Sequence, residues 1–434
     1  MNLKQLATRV LLKTVEAIEP HSIINRAMRI DGSTLHIADG EIVLDDFDEV
    51  VLIGIGKASL RMGEAVESIL GDRFSRGILV TNRRAPAVVK SEVIVAGHPL
   101  PDENSILAGR RITELVKSCR EDTLVIFLIS GGGSSLVELP VSPHITLDDL
   151  RQTNRTLIDC GATIAEINTI RKSLSQIKGG RLGQLAADSR CIALYISDVN
   201  PGDIRSIASN PLLSERLPDP TEILLRFGLM DKLPSNVVST LVDNRGSGSI
   251  GEDDERRAPL TALLLDNMQA LETASHFARQ LGFRVELAFD LIEGDYQSVA
   301  NMLVDRLLDM KKKTPSERVC LISGGEVSCV VHGRGIGGRN QEFVLYCAAK
   351  LASSGIIDNI AVLSCGTDGI DGNSRAAGAV ADAQLVTTAM KHSADATSFI
   401  RTNDSNSFFN KAGGLIVTGP SGNNVRDVRI LMAQ

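Results

Sequence analysis

The chain of 434 residues is poor in aromatic residues, with no Trp, 3 Tyr and 11 Phe. Proteins that bind single-stranded nucleic acid without sequence preference stack the bases on aromatic side chains. The net charge of −7 also provides no basic field that would attract nucleic acid or anionic lipid. We therefore expect no nucleic acid and no membrane among the partners of this protein.

Long apolar runs and metal-binding cysteine spacings are missing as well. No run reaches the ~18 apolar residues of a membrane-spanning helix, and the N-terminus lacks the apolar region of a signal peptide. The 7 Cys and 7 His are dispersed without a Cys-x-x-Cys pair, which gives a zinc site no support. Scattered thiols indicate a reducing compartment. We predict a cytoplasmic protein with a small-molecule substrate, and the sequence leaves a homodimer open.

The order of apolar segments predicts an α/β protein. From residue 50 onward, strand-like runs alternate with helical patterns, which predicts largely parallel sheets covered by helices on both faces. We predict two Rossmann-like α/β/α domains, residues 1–242 and 260–434. The glycine-rich and then charged stretch 243–259 is interpreted as a linker or hinge, with a long active-site loop as the alternative. Whether the last segment packs on the first domain stays open.

Six predicted strands end in loops of Gly, Ser, Thr or Asp. In open α/β sheets, ligands bind outside the carboxyl ends of the strands. Loops without side chains expose backbone N–H groups that suit phosphate oxygens, and carboxylates there favour a divalent metal. The pattern therefore predicts an enzyme that handles phosphate. The loops are 54–57, 130–135, 197–198, 323–326, 366–369 and 418–420.

The first of these loops presents Lys57 after Gly56. It is not a dinucleotide fingerprint, because Ser59 stands where the third Gly is needed, and it is not a Walker A loop. A Lys at a helix N-terminus is disfavoured by the macrodipole unless an anion lies beside it. We interpret Lys57 as an anion-binding residue. A solvated lysine after a structural turn is the alternative.

The second loop has three consecutive glycines at 131–133, between Ser130 and Ser134. Such a run is costly in backbone entropy, and the close approach of a ligand to the backbone would explain it. Ser134 is disfavoured as a hydrolase nucleophile because no Gly-x-Ser-x-Gly pattern surrounds it. The loop is interpreted as a phosphate-binding loop, with an ordinary loose turn as the alternative.

Four further motifs carry charged candidates. Lys178 and Arg181 flank a Gly pair, where cations that cap a helix C-terminus are the structural alternative. Asp198 follows a strand and can ligate Mg²⁺ or act as a general base, unless it only forms an Asx-turn. Arg339 lies among four glycines before a helix, and its planar fork suits phosphate or carboxylate. Asp368, in Gly-Thr-Asp-Gly, is a second candidate metal ligand.

In this order, the motifs resemble the glycerate 2-kinase family, whose C-terminal half is called the MOFRL domain. The resemblance implies transfer of the ATP γ-phosphoryl group to the 2-hydroxyl of D-glycerate, giving 2-phosphoglycerate, with Mg²⁺, in a cleft between two α/β domains. The matching motifs are Gly-Lys at 56–57, Ser-Gly-Gly-Gly-Ser at 130–134, Lys-Gly-Gly-Arg-Leu at 178–182, Ser-Asp-Val at 197–199, Gly-Gly-Arg-Asn-Gln-Glu at 337–342, Gly-Thr-Asp-Gly at 366–369 and Asn-Val at 424–425.

The resemblance also implies roles for residues. Lys57 and Arg339 match the expected catalytic pair. From their own positions, Asp198 and Asp368 are the candidates for metal ligand or base, and the sequence does not say which residue has which role. The remaining candidates share a place in the glycine-rich loops or next to them. As binding residues for substrate or ATP we predict Gly56, Ser130, Gly131, Gly132, Gly133, Ser134, Lys178, Arg181, Gly324, Gly325, Glu326, Gly337, Gly338, Asn340 and Asn424.

Some loops depart from the family pattern, which puts the substrate in more doubt than the reaction class. Asn200-Pro201 lengthens one loop, Ser-Asn-Pro-Leu at 209–212 replaces Ser-Gly-Pro-Thr, and Asn373-Ser374 replaces Pro-Thr. A kinase for a related small hydroxy acid is therefore an alternative. Because relatives are also labelled hydroxypyruvate reductases, an NAD(P)H-dependent reductase is a second alternative. A non-catalytic sensor of ATP or a sugar acid is a third.

Overall fold

The computed structural model describes every residue except 39, 85, 200–201, 244–258, 289–292 and 356–358. The described chain forms two compact units. The N-unit is Ile23–Leu264, and the C-unit joins Met1–Ser22 to Leu265–Gln434. None of the helices in these described residues is long and apolar enough to cross a membrane.

The strands and helices are numbered in chain order. The strands are β1 (Met28–Asp31), β2 (Thr34–Ile37), β3 (Gly40–Val43), β4 (Glu49–Ile55), β5 (Arg76–Thr81), β6 (Glu92–Val95), β7 (Thr123–Ser130), β8 (Arg190–Ile196), β9 (Leu260–Leu265), β10 (Arg284–Ala288), β11 (Gly294–Asp295), β12 (Val319–Ser323), β13 (Val327–Ser328), β14 (Ile360–Gly366), β15 (Gly378–Ala381), β16 (Leu415–Ile416) and β17 (Asp427–Ala433). The helices are α1 (Leu3–Ala17), α2 (Pro20–Ala27), α3 (Ser59–Leu70), α4 (Glu103–Ser118), α5 (Gly133–Leu136), α6 (Leu147–Asp159), α7 (Ile164–Ser173), α8 (Arg181–Leu185), α9 (Pro220–Arg226), α10 (Ser235–Asp243), α11 (Asn267–Gln280), α12 (Tyr296–Lys313), α13 (Arg339–Ser353), α14 (Ala383–Lys391), α15 (Ala396–Arg401) and α16 (Ser405–Ala412).

The N-unit contains the predicted parallel sheet. Its strand order is β6-β5-β4-β7-β8-β9, and the four pairs from β6 to β8 are parallel. Every residue of β7 is buried, as is typical of a central strand covered on both faces. Ile78 and Val80 of β5 pack in one core cluster with Ile112 of α4, whereas Leu79 lies against Gly63 of α3. Because side chains alternate along a strand, α3 and α4 cover opposite faces.

The C-unit sheet is mixed, which corrects the prediction of a second largely parallel sheet. Its order is β10-β12-β17-β14-β15-β16, and only β10 and β12 pair in parallel. β17, the last strand of the chain, enters between β12 and β14 and runs antiparallel to both. Alternation of strands and helices along the sequence does not reveal such an insertion, because the partners of β17 lie far away in the sequence.

The two units also divide the chain differently from the predicted boundary. The apolar face of α1, with Leu3, Leu6 and Val10 buried, packs on β14, β17 and α11 of the C-unit. β9 is the edge strand of the N-unit sheet, although residues 260–265 were assigned to the second domain. Residues 244–258 of the predicted linker lie outside the described residues. The last segment, β17, lies in the C-unit sheet.

Candidate functional site

Three strand-end loops of the N-unit meet at the carboxyl edge of its sheet. The parallel register pairs Ile55 of β4 with Ile129 of β7, and Ser130 of β7 with Ile196 of β8. The loops that follow these strands are therefore neighbours. The backbone N–H of Lys57 donates to the carbonyl of Gly131 at 2.9 Å. The loops that the sequence singled out after β4, β7 and β8 thus lie side by side, and their role as one site stays a prediction.

The glycines of this site are needed because other groups occupy the space of their side chains. A β-carbon at Gly131 would lie 1.9 Å from Oδ2 of Asp198, and one at Gly56 would lie 2.2 Å from Oγ of Ser130. Gly132 has a φ of +81°, and a β-carbon there would lie 3.1 Å from Cε of Lys57. The side chains of Lys57 and Asp198 thus lie against two successive glycines of one loop.

Lys57 forms no ion pair with a carboxylate among the described residues. Its side chain is half-buried. A cation in this position favours an anionic ligand. Anion binding by Lys57 stays a prediction, which this environment favours.

Ser134 is held by a loop with an unusual backbone. Its Oγ lies 2.6 Å from Oγ of Ser209, which donates to Oδ1 of Asn168 at 3.2 Å. Ala208, Ser209 and Asn210 have φ values of +51°, +58° and +51°. Among residues other than Gly, Asn tolerates this region best, which explains how Asn210 replaces the Gly of the family pattern.

Lys178 and Arg181 are engaged by the protein. The ammonium of Lys178 is fully buried, forms an ion pair with Glu138 and donates to the carbonyl of Val137 at 3.3 Å. Burial lowers its pKa, and Glu138 opposes that shift. Arg181 donates to the carbonyls of Ser175 at 2.9 Å and Lys178 at 3.3 Å. These contacts support the structural alternative, and we leave both residues out of the proposed binding set.

In the C-unit, Arg339 is the centre of a second group of charges. Its Nε and Nη2 donate to the two carboxylate oxygens of Asp427 at 2.8 and 3.0 Å, and Nη2 lies 3.0 Å from Oε1 of Glu326. Burial alone would lower the pKa of Arg339, but the two carboxylates outweigh it and raise the pKa. The edge of the guanidinium formed by Nε and Nη2 is therefore occupied, whereas the recorded contacts of the described residues include none for Nη1.

Asp427 was not among the predicted residues, and its position explains why. It is the first residue of β17, and the antiparallel register places it beside Gly366 at the carboxyl end of β14. The candidate residues were chosen from loops after the carboxyl ends of strands, whereas Asp427 lies at the amino end of a strand. Asp427 is fully buried and also accepts from Nδ2 of Asn340 at 3.0 Å. Arg429, two residues on and also fully buried, lies 3.5 Å from the same carboxylate.

The N-terminus of α13 is capped by the protein's own carboxylate. Asp371 accepts from the backbone N–H groups of Asn340 and Gln341 at 3.0 and 2.9 Å. A β-carbon at Gly338 would lie 2.4 Å from Cγ of Asp371, and the backbone N–H of Gly337 donates to Asn373 at 2.9 Å. This end of α13 therefore already holds an anion, and Asn340 bridges Asp371 to Asp427.

The loop of Gly324 and Gly325 is fixed by two buried side chains. Oδ1 of Asn267 accepts from the N–H of Gly325 at 3.1 Å, and Arg429 donates to the carbonyls of Gly324 and Gly325 at 2.5 and 3.4 Å. Glu326, which follows, reaches Arg339. Asn424 lies in the loop before β17, where its side chain accepts from the N–H of Arg426 at 3.1 Å.

Cavities of about 300–1,000 Å³ are typical of small-ligand sites, and one of 710 Å³ lies in the C-unit beside Arg339. Asp368, Asp371 and Glu342 line it together with Arg339. Oδ1 of Asp368 accepts from the N–H of Ile370 at 3.1 Å. Among the described residues, no group of three or more His, Cys, Asp or Glu side chains is arranged to hold a metal ion.

The carboxylates of the described residues fit Mg²⁺ only if a bound substrate supplies further oxygen ligands. Mg²⁺ is usually held by one or two carboxylates together with substrate phosphates. Asp198, against the glycine loop of the N-unit, and Asp368, at the cavity of the C-unit, can each supply one carboxylate oxygen. The residues present thus suit a metal that arrives with a phosphorylated ligand.

Glu342 is a buried carboxylate beside this cavity. It lies one turn after Arg339 on α13, and both its oxygens are shielded from solvent without a well-aligned hydrogen bond in the described residues, although Ser405 faces them. Burial raises the pKa of Glu342 to about 7. Because the oxygens are inaccessible, Glu342 does not suit the role of a general base in this structure.

The raised pKa predicts a pH-dependent stability. The folded state favours the protonated form, so the contribution of Glu342 is present at low pH and is lost as the pH rises from the unfolded value towards about 7. Between about pH 5 and pH 8, wild type should lose about 2 kcal/mol of unfolding free energy relative to Glu342→Gln. Urea unfolding at both pH values measures this, with Glu272→Gln on the exposed face of α11 as control. Parallel pH profiles of wild type and Glu342→Gln would contradict it.

With the geometry described, the chain can be compared with known proteins. Residues 6–242 match a domain of unknown function (DUF4147), and residues 319–427 match the MOFRL family. A D-glycerate 2-kinase of Thermotoga maritima is 33% identical over 436 residues, covering 99% of this chain and 98% of that protein. A protein of Agrobacterium vitis named as a hydroxypyruvate reductase is 36% identical over 389 residues, covering 88% and 86%.

The fold comparison agrees with the sequence comparison. The crystal structure of a glycerate kinase from Thermotoga maritima superposes with a TM-score of 0.86 at 31% identity, covering 100% of this chain and 99% of that one. Similarity of this extent spans both units and all the motifs that were singled out in the sequence. The chain therefore belongs to the glycerate 2-kinase family, with a DUF4147 domain followed by a MOFRL domain.

Proposed function

We propose that this protein transfers the γ-phosphoryl group of ATP to the 2-hydroxyl of D-glycerate and thereby forms 2-phosphoglycerate. The observation that carries the proposal is the N-unit loop in which Lys57 lies over Gly132 and forms no ion pair with any carboxylate that the structure describes. Phosphoryl transfer depends on positioning and charge neutralisation more than on covalent chemistry by the protein. A glycine loop beside an unneutralised lysine suits that task, and the named relatives support the choice of substrate.

Each residue is assigned a role from the atoms that it can offer to a ligand. Lys57 and the glycine loop would hold phosphate oxygens of the donor, and Asp198, beside the same loop, would ligate Mg²⁺ or accept the proton of the substrate hydroxyl. Arg339, anchored by Asp427, would offer Nη1 to negative charge on the transferring group or to the substrate carboxylate. Mg²⁺ supplies charge neutralisation on the phosphates when it is bound. A cytoplasmic location is proposed from the free cysteines.

A coupled assay tests the reaction and its regiochemistry together. Purified protein is incubated with ATP, MgCl₂ and D-glycerate, and product is detected with enolase, pyruvate kinase and lactate dehydrogenase, without phosphoglycerate mutase. Because enolase accepts 2-phosphoglycerate, signal without mutase indicates transfer to the 2-hydroxyl. Signal that requires mutase would assign the 3-hydroxyl, and no ADP formation with D-glycerate would overturn the proposal.

The name of the Agrobacterium vitis relative makes a hydroxypyruvate reductase the second candidate. Dinucleotide-binding folds place an acidic residue at the end of the second strand, where it binds the ribose. Here the strand after the glycine turn, β5, ends at the buried Thr81, and Ser59 replaces the third glycine. Oxidation of NADH or NADPH with hydroxypyruvate, measured on the same preparation, decides between the two activities.

Removal of metal should stop the reaction. Protein treated with EDTA and returned to metal-free buffer is expected to lose at least about 99% of its turnover, because metal ions neutralise charge that develops on the phosphates. Added MgCl₂ or MnCl₂ should restore it. The same treatment of Asp198→Asn and Asp368→Asn shows which carboxylate matters, since the variant that loses a metal ligand needs more Mg²⁺ for half-maximal rate. Full turnover without metal would remove the metal roles of both residues.

A further inference from the structure

His98 lies beside Lys57 at the glycine loop of the N-unit. A β-carbon at Gly132 would lie 3.1 Å from Cδ2 of His98 and 3.1 Å from Cε of Lys57. Both side chains therefore border the same small space next to this glycine. His98 is in the loop after β6, a parallel strand whose carboxyl end lies at the same edge of the sheet as those of β4 and β7. The chain thus brings a fourth strand-end loop to the site.

The charged residues named near His98 are Lys57 and two carboxylates, those of Asp102 and Asp198. Within the described residues, neither His98 nor Lys57 forms an ion pair. The nearest acid in its own loop, Asp102, caps α4 by accepting from the N–H of Ser105 at 2.9 Å. Asp198 lies against Gly131, the residue before Gly132 in the loop. Among the described residues, no ion pair neutralises Lys57 next to His98.

The protonation state of the His98 ring follows from its partial burial and from the charge of Lys57. Partial burial and the positive charge of Lys57 lower the pKa of His98 to about 4, although part of the ring stays exposed to solvent. At neutral pH the imidazole is uncharged and can donate one N–H to an oxygen. A bound anion would offset the charge of Lys57 and raise the proton affinity of the ring.

We propose that His98 is a ligand-binding residue that contacts, together with Lys57, an anionic oxygen group of a substrate. The group is either a phosphate of the nucleotide or the carboxylate of the hydroxy acid, which share the chemistry of a compact oxyanion. The inference rests on the proposed function, because it assumes that the Lys57 loop is the substrate-binding site. It adds a residue that the strand-end motifs of the sequence did not identify.

Nuclear magnetic resonance of the histidine rings tests the contact without turnover. The His98 signal is assigned by its loss in His98→Asn and titrated with pH in the free protein, with ADP and MgCl₂, with D-glycerate, and with inorganic phosphate. We expect a pKa near 4 in the free protein, which rises to about 6 or above with the ligand that is contacted. The arm that produces the rise identifies the source of the oxyanion. In Lys57→Met, the pKa of the free protein should rise towards the ordinary value.

Kinetics separate contact from a structural role. His98→Asn and His98→Gln should each raise KM for the identified substrate about tenfold, the effect of one lost hydrogen bond to a charged group, with kcat changed less and thermal unfolding unchanged. His144→Gln, at an exposed histidine of the same unit, is the control. A His98 signal that does not respond to ligands whose binding calorimetry confirms would overturn this inference alone. Failure to bind nucleotide and glycerate at all would overturn the proposed function with it.

Discussion

Replacement of Lys57 by alanine is expected to lower kcat by at least about 100-fold, the loss typical for one group that stabilises charge in the transition state. The folded structure should be retained. The backbone N–H of residue 57 donates to Gly131 whatever its side chain, and no ion pair within the described residues is lost. The enolase-coupled assay measures kcat, and circular dichroism with thermal unfolding checks the fold.

The matched control is Lys117→Ala, at an exposed lysine in the last turn of α4 in the same unit. Both variants lose one positive charge, but only one of them changes the glycine loop. Equal turnover in the two variants would show that Lys57 is a solvated lysine after a structural turn. That outcome would also remove the observation on which the proposed function rests.

Replacement of Asp427 by asparagine is expected to cost about 3 kcal/mol or more of unfolding free energy, because removal of one partner leaves buried charge uncompensated. The carboxylate binds two nitrogens of Arg339 and lies 3.5 Å from the fully buried Arg429. The amide of asparagine replaces one acceptor oxygen by an NH₂ group, which cannot accept a hydrogen bond from Arg339. The orientation of Arg339 should therefore be lost as well. We expect kcat/KM to fall at least about tenfold, or about 1.4 kcal/mol of transition-state stabilisation.

Glu326→Gln is the matched control, because Glu326 pairs with the same arginine at 3.0 Å but its side chain is 40% exposed. An exposed ion pair contributes about 0–1 kcal/mol, so this variant should unfold within about 1 kcal/mol of wild type. Urea unfolding measures stability, and kinetics are recorded where each variant is fully folded. If the two variants have the same stability and activity, then Asp427 does not position Arg339.

Much of the N-unit site could be predicted from the sequence because its determinants are local. Parallel strands place their carboxyl ends at one edge, so loops after β4, β7 and β8 had to be neighbours once these segments were identified as strands. The glycine run at 131–133 carried its own signal, since a side chain at Gly131 would collide with Asp198. Lys57 and Asp198 were identified for the same reason, as charged residues in such loops.

The C-unit site depended on pairing between distant segments, which periodicity does not encode. Asp427 approaches Arg339 because β17 inserts antiparallel between β12 and β14. The same insertion brings Arg429 to the carbonyls of Gly324 and Gly325. Asp371, which was not among the predicted residues, caps α13 by accepting from two of its backbone N–H groups, a contact between segments about 30 residues apart.

Sequence alone thus determined the α/β class, the parallel N-unit sheet and the residues whose loops follow its strands, since short-range patterns specify these features. Tertiary structure decided which charges remain available to a ligand. Lys178 and Lys57 look alike in the sequence, as lysines beside glycines, but Lys178 is buried against Glu138, whereas Lys57 has no ion-pair partner in the part of the chain that the structure describes. That difference arises from burial and from contacts across about 40 residues or more of chain, which only the folded protein brings together.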